Sequence, residues 1–408
     1  MPERSEGFRL GINYWPADAG MSWLARYDPG IVRSDFGRIA EAGMDTIRIF
    51  LRWEDVQPEP ASVDPATLRR VVDAADAATE AGVELIVTLF TGHMSGVNWI
   101  PPWATGGGDG DPRFRVVSSG KVQPASCCLR NWYRDTAIVD AQELLAGAVA
   151  GALRGHPAVW AWDLGNESSN CTTPPDPGSA ERWLARMTSA LRTVDPDRLI
   201  TVGTHMEDIE SERLLGPGEA ARWCDFVCMH GYPIYAGWAS GPTDPDVVPF
   251  LAAITGWLAG GAPVLFDEFG HATAPPQQSP SGMEVSEADA AAYAGRTIDE
   301  LWGAGAIGAM LWCYSDYASE LWSEPPFDVA THERTFGLWR ADRTPKPSVA
   351  EVRARRDRVR RSVPSVFPWL DVTVEEFLAD RRPQLIRLFG RYRQHASSAP
   401  ATTAGSPL

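Results

Sequence analysis

The chain has 408 residues, 44% of them hydrophobic and 22% charged, and a formal net charge of −16. That length holds one large barrel or two to three average domains, and that apolar content excludes disorder as the general state. The acidic balance argues against nucleic acid and anionic membrane as partners and is compatible with a neutral ligand. The start, from Met1 to Trp15, has no apolar h-region, and no run of about 18 apolar residues occurs. The expectation is a soluble, cytoplasmic protein with no membrane partner. Six cysteines include adjacent Cys127 and Cys128, with Cys224 and Cys228 four apart. Neither spacing has the second half of a zinc pattern, so reduced structural thiols are expected. Seventeen Trp are many for this length, and several fall at expected strand ends. Flat indole faces suit sugar rings, although Trp is also ordinary core material.

In chain order, apolar runs and helical periodicity alternate. Residues 8–14 are the first expected strand, followed by a helix over 31–42 that Gly43 closes. Residues 45–50 are the second strand, and a helix over 68–81 ends at Gly82. Residues 83–90 are the third, leading into a loop rich in Gly, Pro and Trp from 91 to 130. A helix over 134–154 precedes the fourth strand, 159–164. The helix over 179–193 stops at Asp195-Pro196, before a fifth strand at 199–203. A short helical piece at 211–222 leads to a sixth strand, 225–229, and a helix over 247–259 to a seventh, 263–266. A helix over 287–303 leads to the eighth, 307–312.

Eight strands alternating with helices over about 350 residues predict a (β/α)8 TIM barrel. A doubly wound open sheet would want a glycine-rich phosphate loop after an early strand, and the first strand runs instead into Asn13-Tyr14-Trp15-Pro16. The run Gly106-Gly107-Gly108-Asp109-Gly110 lies in a long loop and reads as a flexible rim. The expected division is a barrel domain over 1–350, a helical C-terminal extension over 351–395 and a disordered tail over 396–408. Residues 348–361, with six Arg, read as a solvated helix. Residues 363–369 are an irregular connector, and 374–393 are amphipathic, with Pro383 splitting the segment or starting a second helix. The face of Phe377, Leu378, Leu385, Leu388 and Phe389 has to be buried, either on its own barrel or in a homo-oligomer.

The fourth strand ends in Trp162-Asp163-Leu164-Gly165-Asn166-Glu167, delivering an amide and a carboxylic acid where a barrel builds its catalytic face. A strand followed by an Asn-capped helix is the plainer alternative. The seventh strand ends likewise, in Asp267-Glu268-Phe269-Gly270. Two carboxylates on one mouth are the minimum for glycoside hydrolysis: one stays protonated to donate to the leaving oxygen, and the other stays ionised. Repulsion and unlike neighbours separate their pKa values. Strand alternation points Asp163 and Asp267 away from the mouth, as structural residues.

These two strand ends resemble the acid/base and nucleophile strands of clan A retaining glycoside hydrolases, specifically family 5, the cellulase and mannanase family. Arg48 in Ile-Arg-Ile-Phe, His93 after the third strand, His230 and Tyr232 in Met-His-Gly-Tyr, and Trp312 at the eighth strand fit the same ordered pattern. The resemblance runs from about residue 8 to residue 349. It implies Glu268 as nucleophile and Glu167 as acid/base, about 5 Å apart. It further implies Asn166 on the sugar 2-hydroxyl, Arg48 holding Glu268 ionised, Tyr232 donating to Glu268, His230 positioning Glu167 or a hydroxyl, and Trp312 as the floor under the sugar. His93 is read as either a substrate contact or a loop brace. Thr204 to Glu207 is left equally open. No His, Asp and Glu set has metal spacing, so neither metal nor cofactor is expected. Trp15, Trp53, Trp99, Trp103, Trp238 and Trp322 are further candidates for sugar contact.

Gly92-His93-Met94-Ser95-Gly96, Trp99 to Trp103, Thr204 to Asp208 and Cys228 to Pro233 look most like the β-mannosidase-like branch of the family. Loops at 91–130 and 272–286 are expected to close one end of the cleft into a pocket. The first choice is therefore an exo-acting β-mannosidase on short oligosaccharides. The alternatives are a β-glucosidase or endo-β-mannanase of the same clan, a transglycosylase, or a non-catalytic sugar-binding barrel.

Overall fold

In the computed structural model, residues 7–362 and 367–398 are described. Eight strands form one sheet: β1 (Arg9–Asn13), β2 (Thr46–Arg52), β3 (Glu84–Thr91), β4 (Val159–Asn166), β5 (Leu199–Gly203), β6 (Val227–His230), β7 (Val264–Phe269) and β8 (Gly308–Leu311). Their spatial order is β5-β4-β3-β2-β1-β8-β7-β6, and every pairing is parallel. The seam between β5 and β6 is spanned by Asp225 N donating to Ile200 O, His230 N donating to Thr204 O, and a parallel bridge between His205 and His230. The result is a (β/α)8 barrel. Both strand faces are buried along almost all of each run, which is why the runs are continuously apolar rather than alternating.

The helices α1 (Pro29–Glu41), α2 (Pro65–Ala81), α3 (Thr136–Ala152), α4 (Pro177–Val194), α5 (Pro217–Ala221), α6 (Val247–Leu258) and α7 (Glu287–Gly303) fall one between each pair of successive strands. Three of them start with one device. Asp28, Asp64 and Asp176 accept from backbone N–H groups of the first turn, and a proline with preset φ follows each. These helices begin two or three residues before their apolar periodicity does. Helix α2 ends at Gly82, whose φ of 73° is left-handed and suits glycine.

Inside the barrel, Ile86, Ala161, Phe226, Cys228, Leu265 and Met310 form a closed apolar layer. Gly11 makes room for it, since a Cβ there would stand 2.8 Å from the Met310 Cε. This plug supports the polar site above it.

Four expectations are corrected. Residues 91–130 contain a four-stranded sheet, ordered His93–Met94, Val97–Trp99, Arg115–Ser118, Lys121–Val122. The glycine run belongs to a further strand, Thr105–Asp109, bridged at both ends to Leu129; at Gly107 a Cβ would lie 2.4 Å from the Leu129 carbonyl oxygen. Between β5 and β6 stand two short helices, Met206–Glu210 and α5, rather than one piece at 211–222. The helix α8 (Ser348–Arg353) stops well before Arg361, and three arginines that follow it are tied down. Val359 pairs with Gly7, Arg360 donates to the Gly7 carbonyl, and Arg355 and Arg358 both bind Asp299.

The C-terminal segment forms α9 (Val374–Ala379) and α10 (Arg381–Ser398), with Pro383 in the first turn of the second helix. Phe377, Leu385, Leu388 and Phe389 are buried on this chain's own barrel, against Trp238, Phe250 and Trp257. Leu378 and Ile386 stay exposed. The expected tail at 396–408 overlaps α10 up to residue 398, and the remainder lies outside the described residues, as does most of the connector at 363–369.

Candidate active site

Strand β4 delivers its glutamate by breaking its own alternation. Glu167 sits at φ 46° and ψ 45°, a left-handed conformation that costs a non-glycine residue roughly 1 kcal/mol. Its N–H donates to the Gly203 carbonyl, and Gly165 has no space for a side chain, since a Cβ would meet Ser168 Oγ at 2.7 Å. Across the mouth, Glu268 is in register with His230, just past an irregularity in the β6–β7 pairing.

The two carboxylates meet through one imidazole. His230 Nδ1 lies 2.9 Å from Glu167 Oε1 and 3.4 Å from Glu268 Oε2. One oxygen or nitrogen atom from each of Glu167, His230 and Glu268 falls within 4.8 Å of the others, the closeness that the family resemblance implies. Glu268 Oε1 accepts from the Tyr232 hydroxyl at 2.6 Å. Glu167 Oε2 accepts from Asn170 Nδ2 at 3.0 Å and faces His93 Nε2 at 3.8 Å.

Below the mouth lies a buried charge cluster. Arg48 was expected to hold Glu268, but its shortest contacts go to Asp163 Oδ2, 2.7 Å from Nη2 and 3.0 Å from Nε. Glu268 Oε2 is 3.4 Å from Nη1, and Asp267 Oδ2 is 3.7 Å from Nε. Asp163 and Asp267 stay out of the mouth, as expected, and line the barrel interior on Arg48. Asp163 also accepts from the Gly165 and Gly203 N–H groups, so it fixes the strand ends that carry Asn166 and Glu167.

Burial raises the Glu268 carboxyl, and the Glu167 charge outweighs part of the relief from His230, so its pKa is pushed up to about 7. Burial acts the same way on Glu167, but His205, His230 and His93 overcome it and hold that carboxyl well below the usual range. Burial disfavours the His230 cation, yet Glu268 and Asp267 raise its pKa well above the ordinary value. For His93 burial wins, and its pKa is lowered. The two glutamates therefore titrate as one couple that keeps a proton up to about neutral pH.

The remaining candidates divide. Asn166 Nδ2 donates to the His93 carbonyl, and its buried Oδ1 has no protein partner. His93 is braced by Asn98 Oδ1 at 2.7 Å, as a loop brace would be, and it also lines the cavity. Of the Thr204–Glu207 stretch, His205, Met206 and Glu207 line the cavity; His205 is held by Ser169 and Glu207 by Arg113 and Arg213. Trp312 lines the cavity, whereas Trp15, Trp53, Trp99, Trp103, Trp238 and Trp322 do not. Trp15 and Trp53 are core residues, packed on Phe50 and on Phe90 with Trp103.

The cavity measures about 380 Å³. The loop at 272–286 contributes nothing to it: Thr273 pairs with Val285 and accepts from Lys346 Nζ at 2.7 Å. The other expected loop, 91–130, does wall the cavity, through Ser95, Arg113 and Phe114, joined by Tyr235 and by Ala330, His332 and Glu333 of the segment after β8. Sequence reading missed Tyr235, Ala330, His332 and Glu333, which sit in turns without periodicity.

The family profile described as Cellulase (glycosyl hydrolase family 5) matches residues 11–317. A putative mannan endo-1,4-β-mannosidase 5 of Oryza sativa subsp. japonica is 24% identical over 332 residues, covering 69% of this chain and 62% of that protein. The mannan endo-1,4-β-mannosidase A of Hypocrea jecorina is 23% identical, over 68% of this chain and 62% of its own length. The chain thus spans about three fifths of the curated relatives it matches first. Among solved structures, an exo-β-1,4-mannosidase from Opitutaceae bacterium strain TAV5 aligns with TM-score 0.69 and 25% identity, over 87% of this chain and 62% of that one. A family 5 subfamily 18 protein from Streptomyces cattleya, in complex with Manβ1-4GlcNAc, aligns with TM-score 0.77 and 23% identity, over 95% and 92% of the two chains.

Proposed function

The chain belongs to glycosyl hydrolase family 5, and from that premise we propose that it is an exo-acting β-mannosidase that cleaves short β-mannosides with retention. The observation that carries this reading is the Glu167–His230–Glu268 couple, with carboxylate oxygens within 4.8 Å, at the bottom of a small cavity. That separation supports retention, since inversion wants a wider gap that admits a water between carboxylate and anomeric carbon.

In the first step a Glu268 oxygen attacks the anomeric carbon while Glu167 gives its proton to the departing glycosidic oxygen. In the second, Glu167 takes a proton from water, whose oxygen displaces Glu268 from the same carbon. The proton must start on Glu167, whereas the empty couple favours it on Glu268. His230 Nδ1 lies between both carboxylates, and a glycosidic oxygen seated on Glu167 accepts a hydrogen bond from its protonated form, which draws the shared proton to Glu167. Asn166 Oδ1, buried and unpaired, suits the 2-hydroxyl as acceptor, and Trp312 suits the sugar's apolar face. Relatives named as endo-mannosidases support the second reading, internal cleavage of mannan.

The test is an assay on nitrophenyl β-glycosides and on β-1,4-linked manno- and gluco-oligosaccharides, beside Glu268→Gln. Release of single mannose units, lost in the variant, is expected. Internal cleavage would favour the second reading, and an unimpaired variant would remove Glu268 from the chemistry.

A further inference from the structure

Among the cavity-lining carboxylates, Glu333 has no part in the steps above. It stands in a short 3₁₀ turn, Thr331–Thr335, after β8, and is only 6% exposed. Ser95 Oγ donates to its Oε2 at 3.0 Å, the Tyr235 hydroxyl reaches its Oε1 at 3.4 Å, and Trp312 lines the same cavity. His332 Nε2 lies 3.6 Å away. Burial raises its pKa, since those partners only partly replace water.

The position has a second property. Ser95 follows β3 and Glu333 follows β8, strands separated by β2 and β1 in the barrel order. Their hydrogen bond therefore crosses the mouth. Arg115 and Asp328 reinforce the same crossing with two contacts, at 2.7 and 2.8 Å. The cavity is walled at that point rather than continuing as a groove.

Building on the proposed function, we infer that Glu333 is a specificity-determining residue that accepts a hydrogen bond from the 4-hydroxyl of the terminal sugar. The geometry leads there in two steps. A sugar with C1 between Glu167 and Glu268 and its apolar face on Trp312 has C4 at the far side of its ring, and Glu333 lines the same cavity as all three. A free 4-hydroxyl supplies the donor that this carboxylate lacks water for. A further sugar on that oxygen meets the Ser95–Glu333 crossing, which restricts the site to chain ends. Recognition of this kind discriminates strongly, because a substrate without the hydroxyl leaves a buried acceptor unpaired.

The test is a cycle of kcat/KM measurements with 4-nitrophenyl β-mannoside and its 4-deoxy analogue, on the wild type, Glu333→Gln and Glu333→Leu. Deleting the hydroxyl is expected to cost the wild type about 30-fold. The same deletion should cost Glu333→Leu less than about 3-fold, with Glu333→Gln between them. An equal penalty in wild type and Glu333→Leu, or none in the wild type, would overturn the assignment. Thermal midpoints confirm that each variant is folded, and Glu333→Gln, nearly isosteric, keeps the cycle readable if Glu333→Leu is not. Should the wild type cleave only β-glucosides, the mannoside reading fails while the same cycle on the glucoside pair still decides Glu333. A wild type silent on every β-glycoside overturns both.

Discussion

Tyr232 and Arg48 approach the Glu268 carboxylate with unequal grip, at 2.6 Å for the hydroxyl and 3.4 Å for the guanidinium. Arg48 spends its best hydrogen bonds on Asp163, so its influence on Glu268 is mainly that of a fixed nearby charge, while Tyr232 sets the orientation. A hydrogen bond to a charged group contributes about 1.5–3 kcal/mol. Tyr232→Phe is therefore expected to lower kcat by roughly 10- to 150-fold with KM changed little, measured by steady-state kinetics on the best nitrophenyl glycoside. The glutamate couple also sets a pH limit. Below about pH 7 it retains one proton, the form that the first step uses; above it, Glu268 loses that proton, because its pKa is pushed up to about 7. The kcat/KM of the free enzyme should thus fall as pH rises through 7, approaching tenfold per pH unit, in a pH–rate profile. A plateau from pH 7 to 9 would contradict the coupling. Both glutamates were legible in the sequence because each ends an apolar run with an abrupt carboxylate. The Arg48–Asp163 pairing was not, since it depends on which strand ends meet across the barrel interior.

At the level of elements, the eight strands were readable because burial on both faces demands unbroken apolar runs, and several helices because Asp-Pro or Gly marks their ends. What escaped were pieces governed by neither rule. The small sheet within 91–130 is held by loop backbone pairing and glycine clearances, and the turn holding Glu333 reads Thr-His-Glu-Arg-Thr, with no period. The arginine-rich stretch after α8 reads as a solvated helix because its charge is conspicuous; ion pairs of Arg355 and Arg358 to Asp299 on α7 hold it to the barrel instead. Helix α10 carries its own prediction. Phe389 packs on Trp238 and Phe250 at ring separations of 4.7 and 5.1 Å, so Phe389→Ala should lower stability by about 3–5 kcal/mol. Urea unfolding checks this, and a loss under about 1 kcal/mol would mean that the extension rests loosely on the barrel.

On the scale of the whole molecule, the barrel divides labour along its axis. The apolar layer of Ile86, Ala161, Leu265 and Met310 fills the interior, the Arg48–Asp163–Asp267 cluster lies above it, and the glutamate couple opens into the cavity. Charges that would be costly alone in the interior are paired there, which lets two carboxylates stand close together without dismantling the fold. Loops from opposite sides then cross the mouth through Ser95–Glu333 and Arg115–Asp328. The proposed reaction makes Glu268 the group that bonds to the sugar. The direct test is to incubate the protein with 2-deoxy-2-fluoro-β-mannosyl fluoride, which forms the glycosyl-enzyme readily but hydrolyses slowly, and to locate the added mass by peptide mapping. The account predicts one fluoromannosyl group on the peptide carrying Glu268, with loss of activity in step. Attachment to another carboxylate, or release of α-mannose from β-mannosides by active protein that takes no label, would contradict it.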